Sequence, residues 1–258
     1  MADFKSLNPD QLGKLLLEMG ITMLHAGAPT RRVNLILFRV AKAYGFEIHL
    51  NLSTRHLSIS IQDAQGNTFS GGRSKTSLPG VNFKVVSEIS NLSLELAKNP
   101  LPYPQIKDRI QLIKKQPHYP RAIILAVVGL AGAAFCYLFG GDFLEMGIVF
   151  LATFVGLFLK QELIKRSVNI YLTTYFSSFI SSLVIGVFWV IGFSTQLDHA
   201  FATSVLFLVP GVPLVISFVD LLDGFILNGI DRGFNALMHA FGIAAGLASV
   251  LYIFQIPF

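Results

Sequence analysis

The stretch Leu206–Asp223, LFLVPGVPLVISFVDLLD, decides the fold, because it is apolar enough for a membrane yet interrupted by Pro210, Gly211 and Pro213. Proline has no N–H to donate, and glycine allows the backbone to turn sharply. Lipid cannot satisfy the backbone groups that such a break leaves open, so protein or a polar cavity must do so. The stretch therefore predicts a broken membrane span that lines a cavity.

The rest of the chain has the composition of a membrane protein. Of its 258 residues, 53% are hydrophobic and only 14% are charged, and the mean hydropathy is +0.61. Five stretches reach the length of about 20 residues that crosses a hydrocarbon core of about 30 Å. We predict spans at residues 120–140, 143–164, 168–193, 199–219 and 233–254.

The positive charges predict the orientation of these spans. Residues 1–118 hold fifteen of the twenty Lys and Arg but only eight of the fifteen acids. Cations also occupy the loops after the second and fourth predicted spans, whereas residues 140–142 and 193–199 have none. By the positive-inside rule, we expect an inner-membrane protein with a cytoplasmic N-terminus and, after five crossings, an outside C-terminus.

We predict that residues 1–118 form a cytoplasmic α/β domain and that residues 119–258 form a bundle of five transmembrane helices. Helical spacing over 10–25 and 31–44, with Thr30 as the N-cap of the second helix, gives way to alternation over 46–52 and 56–62. A third short strand follows at 68–72, and helical spacing returns over 81–98 and 103–115. The predicted order is helix, helix, small antiparallel sheet, helix, helix.

Two features of this half could be interpreted as chemistry. Residues 71–77, GGRSKTS, have the glycines, Lys75 and Thr76 of a phosphate loop but not its spacing, so a solvated turn is favoured. His25, His49, His56 and Asp63 belong to no catalytic or metal motif, and the lone Cys136 excludes an intrachain disulfide. We therefore predict no cofactor, no metal and no nucleic-acid partner.

Basic residues of the same half have two open interpretations. They could form the mouth of a pathway for an anionic solute, or give a surface that binds anionic membrane lipid. The residues are Arg31, Arg32, Arg39 and Arg55.

The membrane half contains closely packed and unusually polar helices. Small residues recur every four positions in three spans, which predicts a tight bundle. They are Gly129 and Ala133, Ser178, Ser182 and Gly186, and Gly242 and Gly246. The third span also has seven hydroxyl groups between Thr173 and Ser182, which either bond their own backbone or line a polar route for a solute. Ser178 and Ser182 are predicted substrate-binding residues.

The broken span carries the functional prediction. A half-helix that begins near Pro213 would direct free N–H groups and a positive dipole end at the cavity, where a carboxylate is the natural ligand. Pro210, Gly211 and Pro213 are therefore predicted to bind substrate. The alternative is a proline kink with no ligand.

Charged groups follow directly after the break. Asp220, Asp223, Asp231 and Arg232 surround an amphipathic stretch at 221–230. A buried carboxylate at membrane depth is a candidate for proton coupling. Alternatively, these acids pair with Arg232 and cap helices. We predict coupling or gating roles for Asp220, Asp223, Arg232 and Arg32.

Two motifs resemble the threonine/serine exporter family. Residues 27–33, GAPTRRV, are similar to a GAxTxRV signature, and residues 209–232 are similar to the family pattern PGxPL followed by Asp, two glycines and Arg. The resemblance covers nearly the whole chain, although Pro29 stands where many members have Glu. The positions that it carries over are Arg32, Pro210, Gly211, Pro213, Asp220 and Arg232.

The resemblance implies ion-driven export of small amino acids or of dicarboxylates such as succinate. Full-length members have a second block of spans, which is absent after Phe258, so it also implies an oligomer with a separate, smaller membrane subunit. We predict a subunit of a secondary exporter for a small carboxylate solute, with alternating access around the break. The alternatives are a membrane-anchored hydrolase with its site in residues 1–118 and a non-transporting scaffold or sensor subunit.

Overall fold

The computed structural model describes residues 7–74, 81–115, 119–192 and 198–256, and most of them are helical. The chain divides into two compact units. The first comprises the described residues of 1–117 together with 212–233, and the second those of 118–211 together with 234–258. A segment from the predicted membrane half thus belongs to the first unit, while the domain limits drawn from sequence stay a prediction.

The first unit contains four helices and a three-stranded sheet before its later segment. The elements are α1 (Pro9–His25), α2 (Thr30–Ala43), β1 (Glu47–Leu52), β2 (His56–Gln62), β3 (Thr68–Ser74), α3 (Phe83–Lys98) and α4 (Tyr103–Lys114). The strands form an antiparallel meander, in the order β1-β2-β3. Ile48 pairs with Ile61, which in turn pairs with Phe69, so apolar side chains alternate onto the face that the helices cover.

Local sequence explains how the first helices begin. Asn8 and Gln11 form a capping box at the start of α1, which satisfies two otherwise free backbone donors. The chain then turns at Gly27, whose φ of +79° favours glycine. The predicted N-cap at Thr30 is wrong: α2 begins at Thr30 itself, Pro29 is the cap residue, and the Thr30 hydroxyl is used elsewhere.

The second unit is built from apolar helices, which are α5 (Arg121–Leu138), α6 (Phe143–Lys165), α7 (Ile170–Val190), α8 (Asp198–Ser204) and, from Phe234 onward, α10 (Ile226–Phe254). In the described ranges, four helices are long and apolar enough to cross a membrane, namely α5, α6, α7 and α10. A fifth span results if the broken pair Asp198–Leu208 and Gly211–Leu222 is counted as one.

The break in that pair lies where the sequence predicted it. After α8, a single 3-10 turn covers Leu206–Leu208, and helix α9 (Gly211–Leu222) begins beyond Val209 and Pro210. Pro213 is tolerated because it lies in the first turn of α9, where an N–H would have no intrahelical partner. The amphipathic stretch 221–230 comprises the end of α9 at Leu222, a turn at Gly224 with φ +84°, and the start of α10 (Ile226–Phe254).

Candidate functional site

Asp220 is the centre of a buried polar cluster in the first unit. Its side chain is fully buried, and Oδ1 accepts a hydrogen bond of 2.9 Å from the Thr30 backbone N–H. Oδ2 accepts a second one of 2.9 Å from the Thr30 hydroxyl. Because Pro29 makes no side-chain cap, the carboxylate of Asp220 caps the N-terminus of α2 from a distant part of the chain.

Arg232 and Asn228, both on α10, complete this cluster. Arg232 Nε lies 3.0 Å from Asp220 Oδ2 and forms an ion pair with it, although the Nε–H is not directed at an acceptor. Arg232 Nη2 donates a hydrogen bond to Ala28 O at 3.1 Å. Asn228 Nδ2 donates to Thr30 Oγ1 and to Leu52 O, each at 3.1 Å. We call Thr30, Asp220, Asn228 and Arg232 the Asp220 cluster; it joins α2, α9, α10 and the end of β1.

A tight helical hairpin holds Asp220 and Arg232 in place. The Ser217 hydroxyl of α9 donates to Gly229 O of α10 at 2.6 Å. A Cβ on Gly229 would lie 2.9 Å from Ser217 O, so only glycine permits this approach. A Cβ on Gly233 would meet Ser217 Oγ at 2.9 Å. Gly229, one of the two glycines of the family pattern, therefore allows α9 and α10 to pack closely.

The other predicted gating residues lie around the cluster. Arg31 Nη1 donates to Asp223 Oδ1 at 2.9 Å in an ion pair whose arginine is largely exposed and whose aspartate is partly buried. Arg32 is exposed in the first turn of α2 and takes no part in the Asp220 cluster. The Thr54 hydroxyl donates to Asp231. Of the four predicted coupling or gating residues, the structure brings only Asp220 and Arg232 into direct contact.

The start of α9 offers fewer donors than the sequence suggested. The first four N–H positions of a helix have no intrahelical partner, and here they belong to residues 210–213. Pro210 and Pro213 have no N–H, and Gly211 donates to Val209 O at 2.9 Å. Only the Val212 N–H remains for a solute. Substrate binding at this break stays a prediction, supported by one donor and the helix dipole.

In the second unit, α7 buries a row of hydroxyl groups in otherwise apolar surroundings. All are 0% exposed, and they lie on one face of the helix. We call them the hydroxyl face: Thr173, Thr174, Ser177, Ser178, Ser181 and Ser182. The face has two columns at the four-residue helical spacing.

One column faces α10. Thr174 Oγ1 lies 2.8 Å from His239 Nδ1, and Ser178 donates to Ile243 O at 2.8 Å. Ser182 follows one turn later, and its buried hydroxyl has no hydrogen-bond partner among the described residues. Of the two serines predicted to bind substrate, Ser178 is thus occupied by the protein, whereas Ser182 is free to bond something else.

The other column faces α6 and α8. Ser181 donates to Ala152 O at 3.0 Å and to Ser204 O at 2.8 Å. Thr173 and Ser177 are buried without a hydrogen-bond partner in the described part of the chain. Buried hydroxyls are normally satisfied, so unpartnered ones along one face point to water or a polar ligand between the helices.

Sequence reasoning missed several residues that these contacts single out. Thr30 was not predicted to contact Asp220, nor Asn228 to contact Thr30, because no spacing rule connects Thr30 with residues 190 or more positions away. His239 gave a weaker but real signal: it is an ionisable side chain inside a predicted span, which is a functional candidate by default. Lys160 gave the same signal but was assigned to the loop after the second span, whereas α6 continues to Lys165.

The residues that sequence excluded as chemistry have local roles. His56 bonds Ser74 and Ser58, and His25 Nδ1 contacts Ile21 O at 3.0 Å. In the described ranges, no three His, Cys, Asp or Glu side chains converge as metal ligands. Lys75 and Thr76 of the GGRSKTS stretch lie outside the described residues.

Apolar helices of bilayer length and buried hydroxyl groups between them are the features of a polytopic membrane protein. The chain belongs to the threonine/serine exporter family: the ThrE model, described as "Putative threonine/serine exporter", matches residues 14–254. This is a family of transporters and not of enzymes, so the hydrolase alternative is set aside.

Two curated relatives are similar over most of their length. A protein of Escherichia coli K12 named "Probable succinate transporter subunit YjjP" is 29% identical over 247 residues, which cover 93% of each chain. A protein of Klebsiella aerogenes with the same name is 27% identical over 220 residues, 85% of this chain and 84% of its own. No solved structure matches the chain.

Proposed function

We propose that the chain is a subunit of a secondary exporter for small carboxylate-bearing metabolites, either threonine and serine or a dicarboxylate such as succinate. The observation that carries the proposal is the hydroxyl face of α7, where Thr173, Ser177 and Ser182 are buried in a membrane bundle without partners. Membership of a transporter family and relatives named as succinate transporter subunits support it.

The rest of the mechanism is proposed with it. A solute passes along the hydroxyl face, bonding Ser182 and, when its contact with Ile243 O opens, Ser178. The break at Pro210, Gly211 and Pro213 allows the alternation of access. Asp220 and Arg232 hold or release α2 as a proton is loaded, with Asp223 and Arg32 at the rim.

The cellular arrangement is part of the same proposal. The chain lies in the inner membrane with the N-terminal helices and sheet in the cytoplasm and the C-terminus outside, as the positive-inside rule predicts. It works with a second, smaller membrane subunit, because the two relatives are themselves named as subunits.

Flux measurements test the hydroxyl face. Membrane vesicles from a host that lacks the chain are complemented with wild type, with Ser182→Val or with the matched control Ala248→Val, an exposed position of α10. We expect Ser182→Val to lower efflux of labelled succinate or threonine at least tenfold and Ala248→Val to leave it unchanged. Equal flux in all three would overturn the hydroxyl face as the route.

The broken helix is tested separately by combining Pro213→Ala with Gly211→Leu, which removes one proline and the glycine of the break. Loss of flux with intact assembly would support the break, and unchanged flux would remove it from the mechanism. If neither the break nor any polar bundle residue affects flux, the chain is a scaffold subunit.

A further inference from the structure

The contacts of α7 place two ionisable side chains at one level of the bundle. On the α10 side, Thr174 contacts His239 and Ser178 contacts Ile243. Four residues along α7 therefore correspond to four residues along α10, so the two helices are parallel. The aromatic ring of Tyr171 lies 5.2 Å from the His239 ring, and its hydroxyl donates to Asn235. His239 is therefore fixed at the level of Thr173 and Thr174.

The α6 side gives the matching register for Lys160. Ser181 contacts Ala152, and a Cβ on Gly156 would lie 3.0 Å from Ser181 Cβ and 3.2 Å from Ser177 O. The two helices are antiparallel, so one further turn of α6 brings Lys160 level with Thr173 and Ser177. Lys160 is half-buried at this level.

The described residues supply no partner of negative charge to Lys160. In the described ranges, no carboxylate lies within ion-pair distance of Lys160, and the nearest acid along α6, Glu162, is paired with Arg121 and Lys165. A cation in an apolar bundle is costly unless something compensates it. The unpartnered hydroxyl of Thr173 adds a free donor to the same level.

The hydrogen bonds also fix how the imidazole can act. The Thr174 hydroxyl donates to Ile170 O at 3.0 Å, so at His239 the Nδ1–H is the donor to Thr174. In the neutral ring, Nε2 then carries the lone pair, and protonation of Nε2 adds a second donor and a positive charge.

We propose that Lys160, His239 and Thr173 form a binding site for the carboxylate group of the solute. The Lys160 ammonium supplies the charge, the Thr173 hydroxyl supplies a directed hydrogen bond, and the His239 ring supplies a second one from Nε2 when that nitrogen is protonated. The inference rests on the proposed function, which it deepens by assigning a charged end to the route along α7.

Direct binding tests the site in the purified complex, with succinate as the probe and succinamide as its uncharged analogue. Wild type is expected to bind succinate and not succinamide, because the site requires the carboxylate. Lys160→Gln is expected to raise the Kd for succinate at least tenfold and the transport KM with it. His239→Gln keeps a donor to Thr174 but loses the ring, and a rise of at least threefold is expected.

The matched control is Lys165→Gln, which removes an exposed cation of the same helix that is paired with Glu162 at 3.7 Å. Its Kd is expected to stay within twofold of wild type. If Lys160→Gln and Lys165→Gln change the Kd for succinate equally while flux persists, the proposed site is overturned. Lys160 would then only extend to the membrane surface. Absence of flux in wild-type vesicles would instead overturn the proposed function.

Discussion

The Asp220 cluster and the hydroxyl face of α7 are both buried and polar, but they differ in how completely their groups are satisfied. Both oxygens of Asp220 have donors or an ion-pair partner, and Asn228 bridges Thr30 to Leu52. On α7, three of six hydroxyls have no hydrogen-bond partner in the described part of the chain. A saturated network holds elements together, whereas an unsaturated one has capacity left for a solute.

Loss of the Asp220 carboxylate is expected to have the largest effect on stability. Asp220→Ala removes the cap of α2 and leaves Arg232 partly buried without its counter-charge, which costs roughly 3–5 kcal/mol. Thermal denaturation in detergent is the measurement. Asp223→Ala is the matched control, because its partner Arg31 is largely exposed, and an ion pair that is open to solvent contributes about 0–1 kcal/mol. Equal losses in the two variants would contradict the distinction.

Packing around the hydroxyl face gives the next largest effect. A Cβ on Gly246 would lie 2.6 Å from Tyr175 O, so Gly246→Ala forces α10 away from α7 and costs about 1–3 kcal/mol. At Gly147 in α6, a Cβ meets nothing within 4 Å. Gly147→Ala is therefore expected to stabilise by about 0.5–1 kcal/mol, since alanine is the better helix residue. Opposite shifts in Tm check this, and a shared sign would refute it.

The two serines of the α10-facing column should respond with opposite signs in stability. Ser178→Ala loses the bond to Ile243 O and is expected to cost about 1 kcal/mol. Ser182→Ala removes an unsatisfied buried hydroxyl, so the free energy of unfolding should stay constant or rise, while solute flux falls. A Ser182→Ala variant that is less stable than Ser178→Ala would show that Ser182 is satisfied by the protein.

The smallest effect is expected at the start of α1, away from both regions. Asn8→Ala removes one arm of the capping box and should cost about 1 kcal/mol or less. Flux and succinate binding should stay at wild-type values. A transport defect in this variant would indicate that stability alone limits flux, which would weaken every assignment based on transport.

Local rules predicted most of the elements. Alternation and helical periodicity predicted the three strands, the four N-terminal helices and the first three apolar spans to within a few residues, because these patterns record which face of an element is buried. The last apolar helix begins earlier than predicted, at Ile226 rather than at residue 233. The two prolines and Gly211 likewise predicted a break with a half-helix beginning near Pro213, and α9 begins close by at Gly211. Thr30 was assigned to the wrong capping role, because its hydroxyl is claimed by a carboxylate 190 positions away in the chain.

The candidate sites depended more on tertiary contacts. The sequence alone determined that the chain is a membrane protein with a broken span, a hydroxylated third span and acids after the break, since hydropathy and proline chemistry are local properties. Which of these polar groups are satisfied was decided only by the tertiary structure. A hydrogen-bond partner is supplied by whichever element packs nearby. Asp220 and Ser178 therefore have partners within the protein, whereas the hydroxyls of Ser182 and Thr173 have none among the described residues.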